Sequence, residues 1–247
     1  MDRTVVVIAA HAFEARAAAG VGQGMSKEPW GRWMLYRGEM WDVPLAVIRC
    51  GPGKVAAAAA AQAAVQYLEP VLFVTFGVAG ASDPDLDAGT MVVPESVVDV
   101  ALAELSDLPV SIPFQFVTHE QLRIKLLEVP GTVAGNLLCW EGQIASATNR
   151  PALMKDLTGA LPVDWESSAV AQIADMWDVP WAALKVVSDH GESDRLRRVA
   201  AVAKRPLQWA AETMRRGCMS FLEGVVGSEW ESQDTMDSSS ENSEACQ

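Results

Sequence analysis

A chain of 247 residues, half of them hydrophobic, is long enough to fold as one α/β domain around a full core. A formal charge of −13 excludes a basic nucleic-acid-binding surface as its main business. The apolar runs at 5–10, 71–81 and 181–187 are too short to cross a bilayer.

Met1-Asp2-Arg3-Thr4 enters a strand without the charged and apolar regions of a signal peptide, so a cytoplasmic protein is expected. Residues 4–10 read as a buried central strand, and residues 12–19 as the start of a helix or loop after it. Runs 33–37 and 43–49, separated by a turn containing Gly38, predict a hairpin. Cys50-Gly51-Pro52-Gly53-Lys54 then opens an alanine-dominated helix over 55–68, which Pro70 ends. A strand follows at 71–76, with Gly77-Val78-Ala79-Gly80 turning at its tip, and Asp87-Ala88-Gly89-Thr90 leads into a strand at 91–93.

Residues 99–135, with several prolines and mixed polarity, define no clear element. Further expectations are a strand at 142–146, helices at 149–157 and 167–177, and a strand at 181–187. A long helix over 194–224 is kinked or divided by Pro206. Residues 227–247 hold six acids (Glu229, Glu231, Asp234, Asp237, Glu241, Glu244) and no base. That Ser-rich stretch reads as a disordered tail on a catalytic domain at 1–226. The alternation of strand and helix implies a single α/β domain with a mixed, mostly parallel central sheet flanked by helices.

Small-residue loops at strand ends are where α/β sheets bind ligands. Gly51-Pro52-Gly53 and Gly77–Gly80 qualify, and the first opens a helix whose free N–H groups favour anions. Neither is a Walker loop or a dinucleotide fingerprint. Three acids, Glu14, Glu166 and Asp189, stand at the ends of apolar runs. Singly, each reads as an acid near a helix start or a cap; together they form a set able to face one ligand. His11, His119 and His190 lack metal spacing, no GxSxG elbow is present, and Cys50, Cys139, Cys218 and Cys246 read as reduced thiols. No metal and no cofactor is expected. Trp177, Trp181 and Trp209 fit core or interface packing, and Arg195, Arg197, Arg198, Lys204 and Arg205 a solvated helix face.

Five stretches in order resemble the purine nucleoside phosphorylase/uridine phosphorylase superfamily, and within it the methylthioadenosine/S-adenosylhomocysteine nucleosidases. They are 5–10 with Glu14, Gly51-Pro52-Gly53-Lys54-Val55, the stretch 75–93 with its Phe-Gly-Val-Ala-Gly turn, Val163-Asp164-Trp165-Glu166, and Val187-Ser188-Asp189. The resemblance implies cleavage of a ribose N-glycosidic bond. Asp189 is then the general acid that protonates the departing purine, Glu166 binds the 2′- and 3′-hydroxyls, and Glu14 positions and deprotonates water. Trp165, Val78, Gly77, Ile144 and Ser188 line the nucleoside, and the assembly is a homodimer. A phosphate nucleophile needs cations and N–H donors, for which Arg49 and Gly53 are candidates, with Arg16 more distant. Glu14 would repel that anion, so water is expected.

His11, Val78 and Trp165 depart from the nucleosidase pattern, and 146–150 lacks its stacking aromatic. The Phe-Gly-Val-Ala-Gly turn and the run 158–164 are similar to hopanoid-associated nucleoside phosphorylases. The alternatives are therefore a phosphate-dependent phosphorylase acting on another adenosyl conjugate, or a non-catalytic nucleoside-binding module.

Overall fold

A computed structural model describes residues 4–81, 86–103, 114–141, 162–188 and 204–241. The β-branched run Thr-Val-Val-Val-Ile-Ala forms β1 (Thr4–Ala9), buried along its whole length, and hands over to α1 (Ala12–Ala19). An antiparallel meander follows: β2 (Gln23–Trp30), β3 (Trp33–Met40) and β4 (Val43–Arg49). Then come α2 (Lys54–Leu68), β5 (Pro70–Ala81), β6 (Met91–Asp99), α3 (Val100–Ala103), β7 (Gln115–Val117), α4 (Glu120–Leu127) and β8 (Thr132–Cys139). The described chain closes with β9 (Pro162–Asp164), α5 (Ser167–Met176), β10 (Trp181–Val187) and α6 (Lys204–Glu241).

The strands lie in the order β10-β6-β8-β9-β5-β1-β4-β3-β2, and β10 also pairs with β5. That extra pairing closes β5, β10, β6, β8 and β9 into a small barrel, from which β1, β4, β3 and β2 extend as an open arm. The middle of the sheet, β4-β1-β5-β10, is parallel throughout, as the strand–helix alternation predicts. Antiparallel pairs lie in the meander and where β6 and β9 close the barrel. Period-two alternation sends Val5, Val7 and Ala9 to one layer, with α1, α4 and α6, and Val6 and Ile8 to the other, with α2 and α5. In α2 the small stripe Ala57, Ala60, Ala61, Ala64 is buried, which lets the helix lie close on the sheet.

Several expectations are corrected. The β3–β4 turn is Trp41-Asp42, both with positive φ (49° and 65°), as a two-residue type I′ hairpin demands. Gly38 lies within β3 instead, where a Cβ would come within 2.4 Å of the Gln23 carbonyl oxygen. Gly77–Gly80 do not turn: β5 runs on to Ala81 because β10 and β9 hydrogen-bond along it. The described part of residues 99–135 yields the end of β6, α3, β7, α4 and the start of β8. α6 passes Pro206 undivided and runs to Glu241. Among the three tryptophans expected in core or interface, Trp181 is in the core, whereas Trp177 and Trp209 are exposed. The strand expected at 142–146 and the helix at 149–157 lie outside the described residues. Cys50, Cys139 and Cys218 are unpaired and buried. No described helix is long and apolar enough to cross a membrane.

Candidate active site

β1 brings the chain to the sheet edge at His11, and α1 then turns its third residue, Glu14, back inward. Glu14 is only 2 % exposed. One carboxylate oxygen accepts the His11 N–H (2.7 Å) and the other the Val78 N–H (2.9 Å). The group sits against Gly77, where a Cβ would lie 2.5 Å from Oε1, so this strand position has to lack a side chain. Burial pushes the Glu14 pKa up, while His11, the Val78 N–H and Lys185 pull against that rise.

Glu166 stands at the N-cap of α5 without capping it by its side chain. It reaches across 113 residues of sequence to accept the Gly53 N–H at 2.8 Å, at the mouth of α2. The next amide there, Lys54 N–H, goes to Glu141 at 2.8 Å. The helix end that sequence marked as anion-seeking is thus held by the chain's own carboxylates. Gly53 adopts φ of +97°, and a Cβ there would stand 2.8 Å from Glu141 Oε1. Burial, followed by the charge of Asp164, pushes Glu166 up to about 7; Lys185 and the Gly53 N–H oppose this, and Glu14 adds to it. That Glu14 and Glu166 each feel Lys185, and Glu166 feels Glu14, puts both acids in one electrostatic neighbourhood.

Lys185 is the residue sequence reasoning missed. It lies in β10 opposite Gly77 of β5, 3 % exposed, with Nζ 2.9 Å from Asp164 Oδ2. Asp164 also accepts the Ser167 N–H and hydroxyl, and Ser167 Oγ is 2.7 Å from Thr75 Oγ1. Burial disfavours the ammonium form, yet Asp164, Glu166 and Glu14 outweigh it and the pKa rises. The signal was present: one cation inside Trp-Ala-Ala-Leu-Lys-Val-Val, where a buried lysine requires a partner. A second pair braces the mouth of α2: Lys54 Nζ bonds Asp99 at 3.0–3.1 Å, and Ser168 Oγ donates to the same carboxylate at 2.7 Å. Between the acids, burial and then Glu166 and Glu14 push the Cys50 thiol up to about 12, leaving it protonated and unreactive at neutral pH.

The other predicted residues fall as follows. Gly77 and Val78 meet Glu14 through backbone. Ser188 directs its N–H (2.9 Å) and hydroxyl (3.2 Å) to the Ala79 carbonyl, pinning the chain at the exit of β10. Trp165 is exposed beside Glu166. Arg49, at the end of β4, is partly buried. The Gly53 amide, a candidate phosphate donor, is already engaged by Glu166. Asp189 and Ile144 lie outside the described residues. Two carboxylates with raised pKa and one ammonium therefore gather near the ends of parallel strands, a place suited to hydroxyl groups and a held water.

The profile of the phosphorylase superfamily matches residues 4–222. The chain is 27 % identical over 174 residues to the 5'-methylthioadenosine/S-adenosylhomocysteine nucleosidase of Staphylococcus haemolyticus (strain JCSC1435), covering 65 % of this chain and 75 % of that one. It is 26 % identical over 171 residues to the enzyme of the same name from Glaesserella parasuis serovar 5 (strain SH0165), covering 65 % and 74 %. Its fold is similar to that of the Neisseria meningitidis nucleosidase in complex with methylthio-immucillin-A, with a TM-score of 0.75 at 19 % identity over 88 % of this chain and 99 % of that one. It is likewise similar to futalosine hydrolase of Helicobacter pylori strain 26695, with a TM-score of 0.77 at 17 % identity over 89 % and 99 %.

Proposed function

The chain belongs to the phosphorylase superfamily, and from that premise we propose that it hydrolyses the N-glycosidic bond of a purine nucleoside bearing a 5′-substituent. The observation that carries the reading is the convergence of Glu14 and Glu166 beside buried Lys185. Glu166 grips the ribose diol, Glu14 holds and deprotonates the attacking water, and Asp189 protonates the leaving base. As C1′–N breaks, positive charge grows on the sugar, and carboxylates placed beforehand in a dry site stabilise it. The departing purine anion is a poor leaving group, so a positioned acid is worth ~10²–10⁴-fold in rate.

Water rather than phosphate as nucleophile is supported by the site's charge. The Gly53 and Lys54 amides are spent on carboxylates, and buried Lys185 is already paired with Asp164. A phosphate dianion entering here finds the α2 helix end taken and the buried ammonium already neutralised. Assembly as a cytoplasmic homodimer belongs to the same reading: Val55, Tyr67, Met176 and Trp177 are exposed on and beside α2 and α5, offering an apolar face.

The test is release of free purine from methylthioadenosine, S-adenosylhomocysteine and futalosine, with and without phosphate. Release independent of phosphate is expected from at least one. Strict phosphate dependence converts the reading to a phosphorylase, and tight binding without release to a binding module.

A further inference from the structure

Neither of the helices that meet at Glu166 caps its own start. α2 begins after Gly53 and α5 after Glu166, and at both N-caps the side-chain bond is missing. The Gly53 N–H bonds Glu166 directly across the two entrances, at 2.8 Å. The aim of that carboxylate therefore depends on how the two helix ends stand relative to each other. An acid that has to meet a sugar needs its aim fixed, since a misplacement of about 1 Å costs on the order of 10²-fold in rate.

Asp99 supplies a second tie between the same two entrances. It ends β6 beside Cys139 of β8, is buried, and has its own N–H on the Phe114 carbonyl at 2.8 Å. Its Oδ1 accepts the Ala101 and Leu102 amides at 3.1 and 3.2 Å, which fixes the carboxylate against its own backbone. From that fixed point it takes Lys54 Nζ, from the first residue of α2, on both oxygens at 3.0–3.1 Å. It also takes the Ser168 hydroxyl, from the first turn of α5, at 2.7 Å. Lys54 directly follows Gly53 and Ser168 lies two residues past Glu166, so this tie runs alongside the bond between Gly53 and Glu166. Neighbouring Ser167, about 100° round the helix, donates its hydroxyl to Asp164, the partner of Lys185. Two lysine–carboxylate pairs thus hold the first turn of α5, with Glu166 at its head.

We infer that Asp99, through Lys54 and Ser168, is a positioning residue for Glu166. It sets the spacing of the α2 and α5 entrances so that one oxygen of Glu166 stays on the Gly53 N–H and the other is free for the ribose diol. The diol belongs to the nucleosidase reading, on which this rests; the clamp itself stands on the contacts of Asp99. Lys54→Met and Ser168→Ala each cut one arm of the clamp and leave Gly53 and Glu166 in place, whereas Lys54→Arg keeps a charged donor. Two measurements on the full chain test it. By hydrogen exchange, the Gly53 amide is expected to exchange at least about tenfold faster in K54M and S168A, with the amides of β1 and β10 at parent rates. In kcat/KM, the ratio of methylthioadenosine to its 2′,3′-dideoxy analogue falls at least about tenfold in both, the loss expected when a hydrogen bond to a charged group goes. K54R recovers most of each effect.

A variant that merely folds less well slows both substrates alike and leaves their ratio untouched. Parent-like exchange at Gly53 in both variants overturns the positioning role, and so does faster exchange shared equally by β1 and β10. A ratio unmoved in K54M and S168A, although Glu166→Gln moves it, overturns it as well. Should Glu166→Gln leave the ratio unchanged, the diol assignment falls and Gly53 exchange alone decides the clamp, so the two failures are separable. If methylthioadenosine is not cleaved, the same ratio is read from dissociation constants.

Discussion

Replacing Glu166 by glutamine is expected to stabilise the fold while abolishing most activity, and the stabilisation carries a pH signature. An unfolded glutamate titrates near 4.5, whereas burial and Asp164 push folded Glu166 to about 7. Between those values the folded chain keeps a proton that the unfolded chain has released, so stability declines as pH rises through the window. Above it the penalty is constant. A difference of about 2.5 pH units at ~1.36 kcal/mol per unit amounts to about 3 kcal/mol. Glutamine never ionises and its carbonyl still accepts the Gly53 N–H, so the variant keeps the hydrogen bond and sheds the penalty. Urea unfolding at pH 4 and pH 8 reads this directly as a shift in midpoint at constant slope. Near-equal stability is expected at pH 4, and a gain of up to about 3 kcal/mol for the variant at pH 8. A gain of the same size at both pH values, or a loss at pH 8, refutes the argument that a strained carboxylate is held here.

Gly77→Ala places a Cβ 2.5 Å from Glu14 Oε1 and pushes the carboxylate off its two amides; kcat is expected to fall on the order of 10²-fold, with the far-ultraviolet circular dichroism unchanged. Lys185→Met leaves Asp164 buried without its cation and costs about 3–5 kcal/mol by chemical denaturation. The double change Lys185→Met with Asp164→Leu recovers much of that stability and none of the activity, and a double variant as unstable as the single one would contradict the pairing. Asp189→Asn lowers turnover by ~10²–10⁴-fold in single-turnover assays while a nucleoside's dissociation constant changes little; unaltered turnover removes its acid role.

What sequence made legible was whatever is apolar throughout or acidic in isolation. β1 and β10 announce themselves as unbroken aliphatic runs because both faces of those strands are buried. Glu14 and Glu166 stand out because each follows such a run or opens an apolar helix. β2, Gln-Gly-Met-Ser-Lys-Glu-Pro-Trp, was illegible since it is an edge strand, mostly exposed, with no pattern to read. Gly77 and Gly80 carry the chemistry of a turn, and only the approach of Glu14 explains why glycine stands at 77 in a strand. Lys185 was missed because its partner Asp164 meets it only after β9 and β10 are laid into the closed sheet.

β5 touches three neighbours in succession: Thr75 beside Ile8, Gly77 beside Lys185, Gly80 beside Val163. A junction of that kind tolerates no change of length. Adding or removing one residue ahead of Gly77 exchanges the two faces of everything after it, which puts a side chain where the acid must lie and unseats the lysine at the same stroke. An insertion at the Gly31 corner between β2 and β3, by contrast, disturbs no third strand.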